Sequence, residues 1–100
     1  MLETVALDSY RLQGRLDMQA DTQVLQAVLA LGDSRPAGVL TLDVGALESV
    51  DSLLLAAILH VQRRLQAAGK TLAVTGLTAG MRGLARVYGI DALIESSVKL

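Results

Sequence analysis

The sequence contains no cysteine, no phenylalanine and no tryptophan, with one proline and one histidine in 100 residues. The missing cysteine excludes disulfide scaffolds, thiol nucleophiles and thiolate-bound zinc. A lone histidine, His60, excludes a multi-histidine metal site, and neither a metal nor a cofactor is expected. The only aromatic residues are Tyr10 and Tyr88, too few to build a platform for stacked bases. Charge of one sign is also lacking. Nine basic residues against ten acidic ones give a formal net charge of −1, so there is no positive field to attract nucleic acid. The longest unbroken apolar run, Leu53 to Leu59, is too short to cross a bilayer, and no direct membrane insertion is expected. Met1-Leu2-Glu3 shows no basic region before an apolar stretch, which predicts no signal peptide.

What is present is aliphatic. Hydrophobic residues make up 52% of the chain, with 20 leucines, 14 alanines and 10 valines. That content excludes disorder and predicts one soluble, cytoplasmic domain over residues 1–100 with little chemistry of its own.

The few prolines and glycines separate the elements. Thr4–Leu7 and Tyr10–Gln13 read as short strands joined at Asp8-Ser9, the second alternating apolar and polar residues. Gly14-Arg15-Leu16-Asp17 then leads into a polar stretch. Asp21 is a good N-cap for a helix to about Leu31, with Val24, Leu25, Val28 and Leu29 as its apolar stripe and Gly32 at C′. Pro36 stops its continuation. Val39–Asp43 reads as a central strand buried on both faces, and residues 45–51 as a loop. A second helix spans about Ser52 to Ala68 and ends at Gly69. Thr71–Thr75 is a strand ended by Gly76. Thr78 caps a third helix to about Tyr88, with Met81, Leu84, Ala85 and Tyr88 on one face. Residues 90–98 close the chain, with room for one edge strand. The alternation predicts an α/β domain with a mixed four- to five-stranded sheet, about three helices and right-handed crossovers.

This order of elements resembles the STAS domain family, which includes the bacterial anti-sigma-factor antagonists. Gly14-Arg15-Leu16-Asp17 is similar to the family's Gly-Glu-Leu-Asp turn. Leu42-Asp43 with Val50-Asp51-Ser52 is similar to its strand end and Asp-Ser loop, and the spacing to Gly69-Lys70 and the following strand also fits. Leu84-Ala85-Arg86-Val87-Tyr88-Gly89-Ile90 is similar to an element of the STAS subunit of the Mla phospholipid transporter, as is an apolar helix with a midway histidine, here Leu59-His60. That resemblance implies a small non-enzymatic subunit, peripheral to the inner membrane, which binds the ATPase of an ABC transporter moving phospholipids and so serves lipid asymmetry. The alternative it implies is an anti-sigma-factor antagonist, switched when an anti-sigma factor kinase phosphorylates Ser52. Sensor-type antagonists usually carry glycine two residues after that serine; here it is Leu54.

The residues give their own reading of the second helix. Leu54, Ile58, Val61 and Leu65 fall on one stripe, assigned to the sheet. Leu53, Leu55, Ala56, Ala57 and Leu59 fill the remaining directions, which requires cover from neighbouring helices or from a partner. With the Asp51-Ser52 pair that the resemblance places on a partner-facing surface, the candidate partner-binding set is Asp51, Ser52, Leu53, Leu55, Ala56, Leu59 and His60, and a homodimer through the same helix start is an open alternative. Ser52 stands at a helix start, where a hydroxyl can cap, contact a partner or carry a phosphate. His60 points away from the core stripe and reads as a solvated or rim histidine. Eight helical residues separate it from Ser52, ~12 Å, too far for a nucleophile–base pair. Arg63, Arg64, Arg82 and Arg86 form basic strips that suit a solvated face, an acidic partner or lipid headgroups. Asp17 and Asp43 suit turn and capping roles. Gly76, Gly80 and Gly83 lack dinucleotide-loop spacing.

Overall fold

The computed structural model describes residues 1–16, 22–50 and 52–87. Asp17, Asp21, Asp51, Tyr88 and the closing segment 90–98 lie outside the described residues.

Strands β1 (Leu2–Ala6) and β2 (Ser9–Leu16) pair antiparallel. Their turn falls at Leu7–Asp8, one residue earlier than expected. Asp8 adopts φ +57°, a left-handed conformation that aspartate tolerates better than most residues. Its carboxylate accepts the Ala37 N–H at 3.0 Å and its carbonyl accepts the Thr41 N–H at 2.8 Å. The hairpin turn is thereby tied to the head of the next strand.

Two expected boundaries move because strands pair beyond what the local sequence suggests. Gly14 takes φ +89°, yet β2 continues through it to Leu16 instead of turning. Residues 45–50 are not a loop. They extend β3 (Val39–Val50), and Gln13, Gly14, Arg15 and Leu16 of β2 pair with Ala46, Leu47, Ser49 and Val50. The register shifts between Arg11 and Gln13 and again between Gly14 and Arg15, so β3 absorbs extra residues as bulges. Gly45 sits at the first of these, its N–H donating to Asp43 Oδ1 at 2.9 Å. The glycine that reads as a strand terminator marks a bulge within the strand.

Between β2 and β3 lies α1 (Thr22–Ala30), followed by a 3₁₀ turn (Leu31–Asp33). Gly32 is not a left-handed C′ residue. It is buried, and a Cβ there would lie 2.9 Å from Arg64 Cβ. Packing, not φ, requires the glycine. The Ser34 hydroxyl ends the turn by donating to the Leu31 carbonyl at 2.6 Å.

Helix α2 (Ser52–Ala67) closes as expected. Gly69, at φ +74°, donates to Gln66 O at 3.0 Å, and the Lys70 N–H reaches Leu65 O at 2.8 Å, the paired bonds of a Schellman motif. Strand β4 (Thr71–Thr75) keeps the bounds read from the sequence. Helix α3 (Ala79–Val87) begins with Thr78 as cap: its Oγ1 accepts the Met81 N–H at 3.2 Å.

Among the described residues the sheet runs β1-β2-β3-β4, with the last two pairings parallel, a mixed four-stranded sheet accompanied by three helices. Leu12 and Leu16 of β2, Leu40, Leu42 and Val44 of β3, and Leu72 and Val74 of β4 form one core with Val28, the α2 stripe, Met81 and Ala85. β3 is central but is not buried on both faces. Its alternate residues Val39, Thr41 and Asp43 are exposed or half-buried. On that second face Arg11 lies 3.8 Å from Glu3 and 3.5 Å from Asp43, an ion ladder across three strands at partly exposed positions. The described helices therefore gather on one side of the sheet.

Candidate functional site

α2 sets the geometry of the candidate site. Leu54, Ile58, Val61 and Leu65 are at most 1% exposed, which fixes the side of the helix that meets the sheet. At ~100° per residue, the opposite direction is centred on Ser52, Ala56 and Arg63, all exposed. His60 is exposed on the rim of this stripe, and Leu53 and Leu59 are half-buried on its two flanks. Six of the seven sequence-selected residues are described, and five of them share this face: Ser52, Leu53, Ala56, Leu59 and His60.

Leu55 does not belong with them. It is 1% exposed and part of the core, as is Ala57. Both α1 and α3 pack against α2 and supply the cover that these flank positions require. The apolar excess at the helix start is thus largely internal packing, and the surface left over is narrower and more polar than the sequence suggests. Arg63, by contrast, belongs to the same stripe and was not selected. The i, i+4, i+11 spacing of Ser52, Ala56 and Arg63 carries that signal.

The chemistry available to this face is limited. The helix begins at Ser52 and is continuous past His60, so the ~12 Å separation holds and no nucleophile–base pair forms. A crevice near α2, lined by Val44, Gly45, Leu54, Gly76 and Met81 among others, has a volume of about 40 Å³. That admits a water or two, far below the hundreds of Å³ that a small-molecule site needs. Among the described residues no group of three or more His, Cys, Asp or Glu side chains could hold a metal ion. No described helix is long and apolar enough to cross a membrane. What the face offers is one hydroxyl at a helix start, a small methyl-sized step at Ala56, two leucine flanks, an imidazole and a guanidinium. Such a set makes contacts.

Known proteins place this architecture. The chain superposes on the anti-sigma factor antagonist SpoIIAA in its unphosphorylated form with a TM-score of 0.67 and 19% identity, covering 99% of this chain and 84% of that one. It superposes on a sulfate transporter family protein from Wolinella succinogenes with a TM-score of 0.68 and 20% identity, over 96% and 80% of the two chains. At such identities the likeness is one of fold. No curated protein matches the sequence. The family model described as the MlaB STAS domain matches residues 5–95, nearly the whole chain. The hairpin, the two parallel βα crossovers and this sequence match agree: the chain belongs to the STAS domain family and is MlaB-like.

Proposed function

We propose that this STAS domain is a non-enzymatic interaction subunit that binds the ATPase of a phospholipid ABC transporter at the cytoplasmic face of the inner membrane. One observation carries the reading within the family: the solvent face of α2 presents Ser52 and Ala56 between the half-buried Leu53 and Leu59. Small exposed residues flanked by leucines let another surface approach closely and still bury apolar area. The lining of the face suits docking and has no pair of groups arranged for proton transfer.

The experiment is affinity co-purification from the native host with the tagged chain. Recovery of an ABC ATPase together with a membrane permease supports the proposal. Ser52→Asp places a second carboxylate beside Asp51 in a surface that loses water on binding. The expected result is weaker retention of the ATPase by about tenfold, ~1.4 kcal/mol, with the fold intact. Unchanged retention removes Ser52 from the interface. The exposed hydroxyl at a helix start also favours the second reading, an anti-sigma-factor antagonist controlled by phosphorylation of Ser52. Recovery of a serine kinase that adds one phosphate to Ser52, with no transporter component, selects that reading instead.

A further inference from the structure

A second surface lies at the other end of α2, ~17 Å along the helix from Ser52. Here the 3₁₀ turn and the last turns of α2 enclose a groove of about 490 Å³, lined by Asp33, Arg35, Arg63 and Arg64 with Gly32 and Ala67 among the small residues between them. Three arginines face one aspartate, in a chain whose overall charge is −1. Arg64 is built into the wall. Its methylene stem lies over Gly32, where any Cβ would be 2.9 Å from Arg64 Cβ, and its Nε donates to Asp33 Oδ1 at 2.8 Å while a terminal nitrogen bonds the same oxygen. Arg35 and Arg63 are exposed and have no carboxylate partner among the described residues. The groove thus holds one oriented guanidinium and two uncommitted ones.

We propose that this groove binds an acidic peptide segment of a partner protein. Guanidinium forks match carboxylates, and separate arginines along a concave wall suit carboxylates spread along an extended chain. The α2 C-terminus lies beside the groove and bears partial negative charge, which disfavours a compact dianion such as phosphate. Among the described residues the exposed large apolar side chains, Met1, Val5, Leu7, Val39 and Val87, all lie outside the groove, so none of them supplies it with the apolar anchor of a membrane-surface site. The proposal does not rest on the ATPase reading: the groove shares only Arg63 with the face that carries Ser52, and peptide binding is tested with the purified chain.

The probe is a short peptide of alternating Glu and Ser, titrated into isotope-labelled protein and followed by amide NMR shifts. Shifts are expected around residues 31–36 and 63–69, with affinity falling as salt rises. Arg35→Gln with Arg63→Gln should weaken binding by about tenfold or more, while Arg86→Gln on α3 changes it less than about twofold. A Gln-for-Glu peptide should bind far more weakly. The proposal is overturned if the acidic peptide does not bind, if its shifts lie elsewhere, or if the double variant, checked for a native spectrum, binds like the parent. It is equally overturned if phosphatidylglycerol vesicles or inorganic phosphate perturb these amides and the peptide does not.

Discussion

At Gly76 a methyl group has nowhere to go. The residue sits at φ +81°, and a Cβ would come within 2.5 Å of Gly45 N and 2.6 Å of its Cα. Backbone atoms cannot step aside as a flexible side chain can. Gly76→Ala should therefore destabilise the fold by about 2–4 kcal/mol, combining left-handed strain with overpacking. Gly83 is the opposite case: it lies inside α3, and a Cβ there meets nothing within 4 Å. Gly83→Ala should stabilise by ~0.5–1 kcal/mol through helix propensity. Urea unfolding of the two variants reads both signs, and equal effects would refute the distinction. In the sequence Gly76 reads as a strand end and Gly83 as a position within a helix, but the steric difference between them comes only from the approach of the β3 bulge to the β4 end. The same holds for Gly32, whose role depends on a side chain 32 positions away.

Elements with their own punctuation were legible. α2 carries its Schellman glycine, β4 is bracketed by Lys70 and Gly76, and α3 has its capping threonine. Thr78→Ala removes the acceptor for the Met81 N–H and should cost about 1 kcal/mol. Thr78→Ser should keep most of the stability, and thermal unfolding of the pair would show whether the cap or the methyl matters. The length of β3 was not legible, because Ala46, Leu47, Ser49 and Val50 are held in the strand by pairing with the end of β2, a partner remote in sequence. The candidate site divides the same way. Ser52, Ala56 and His60 follow from the 3.6-residue period alone. Leu55 does not, since burial on the flank of a helix is decided by whether α1 and α3 are there to cover it.

For the molecule as a whole, the described core is one contiguous cluster drawn from three strands and all three helices. A single cluster of this kind should unfold in one cooperative step. Without tryptophan the useful probes are far-UV circular dichroism and tyrosine fluorescence, the latter through Tyr10, which packs against the core from β2. Coincident urea transitions are expected, and separated midpoints would mean that the hairpin melts apart from the rest. The α/β class was open to inspection because strand and helix periods alternate along the chain; the one-sided sheet was not, because the apolar residues of β3 do not say which face the helices take. One consequence concerns force. Only residue 51 separates the end of β3 from the start of α2, and β3 is paired to β2 as far as Val50. A partner gripping Ser52 and Ala56 therefore pulls on a short tether. The load enters β3 lengthwise and spreads as shear across its two parallel neighbours, the direction in which a row of hydrogen bonds must fail together. A pull on this end of α2 is therefore borne by the sheet rather than by the helix alone.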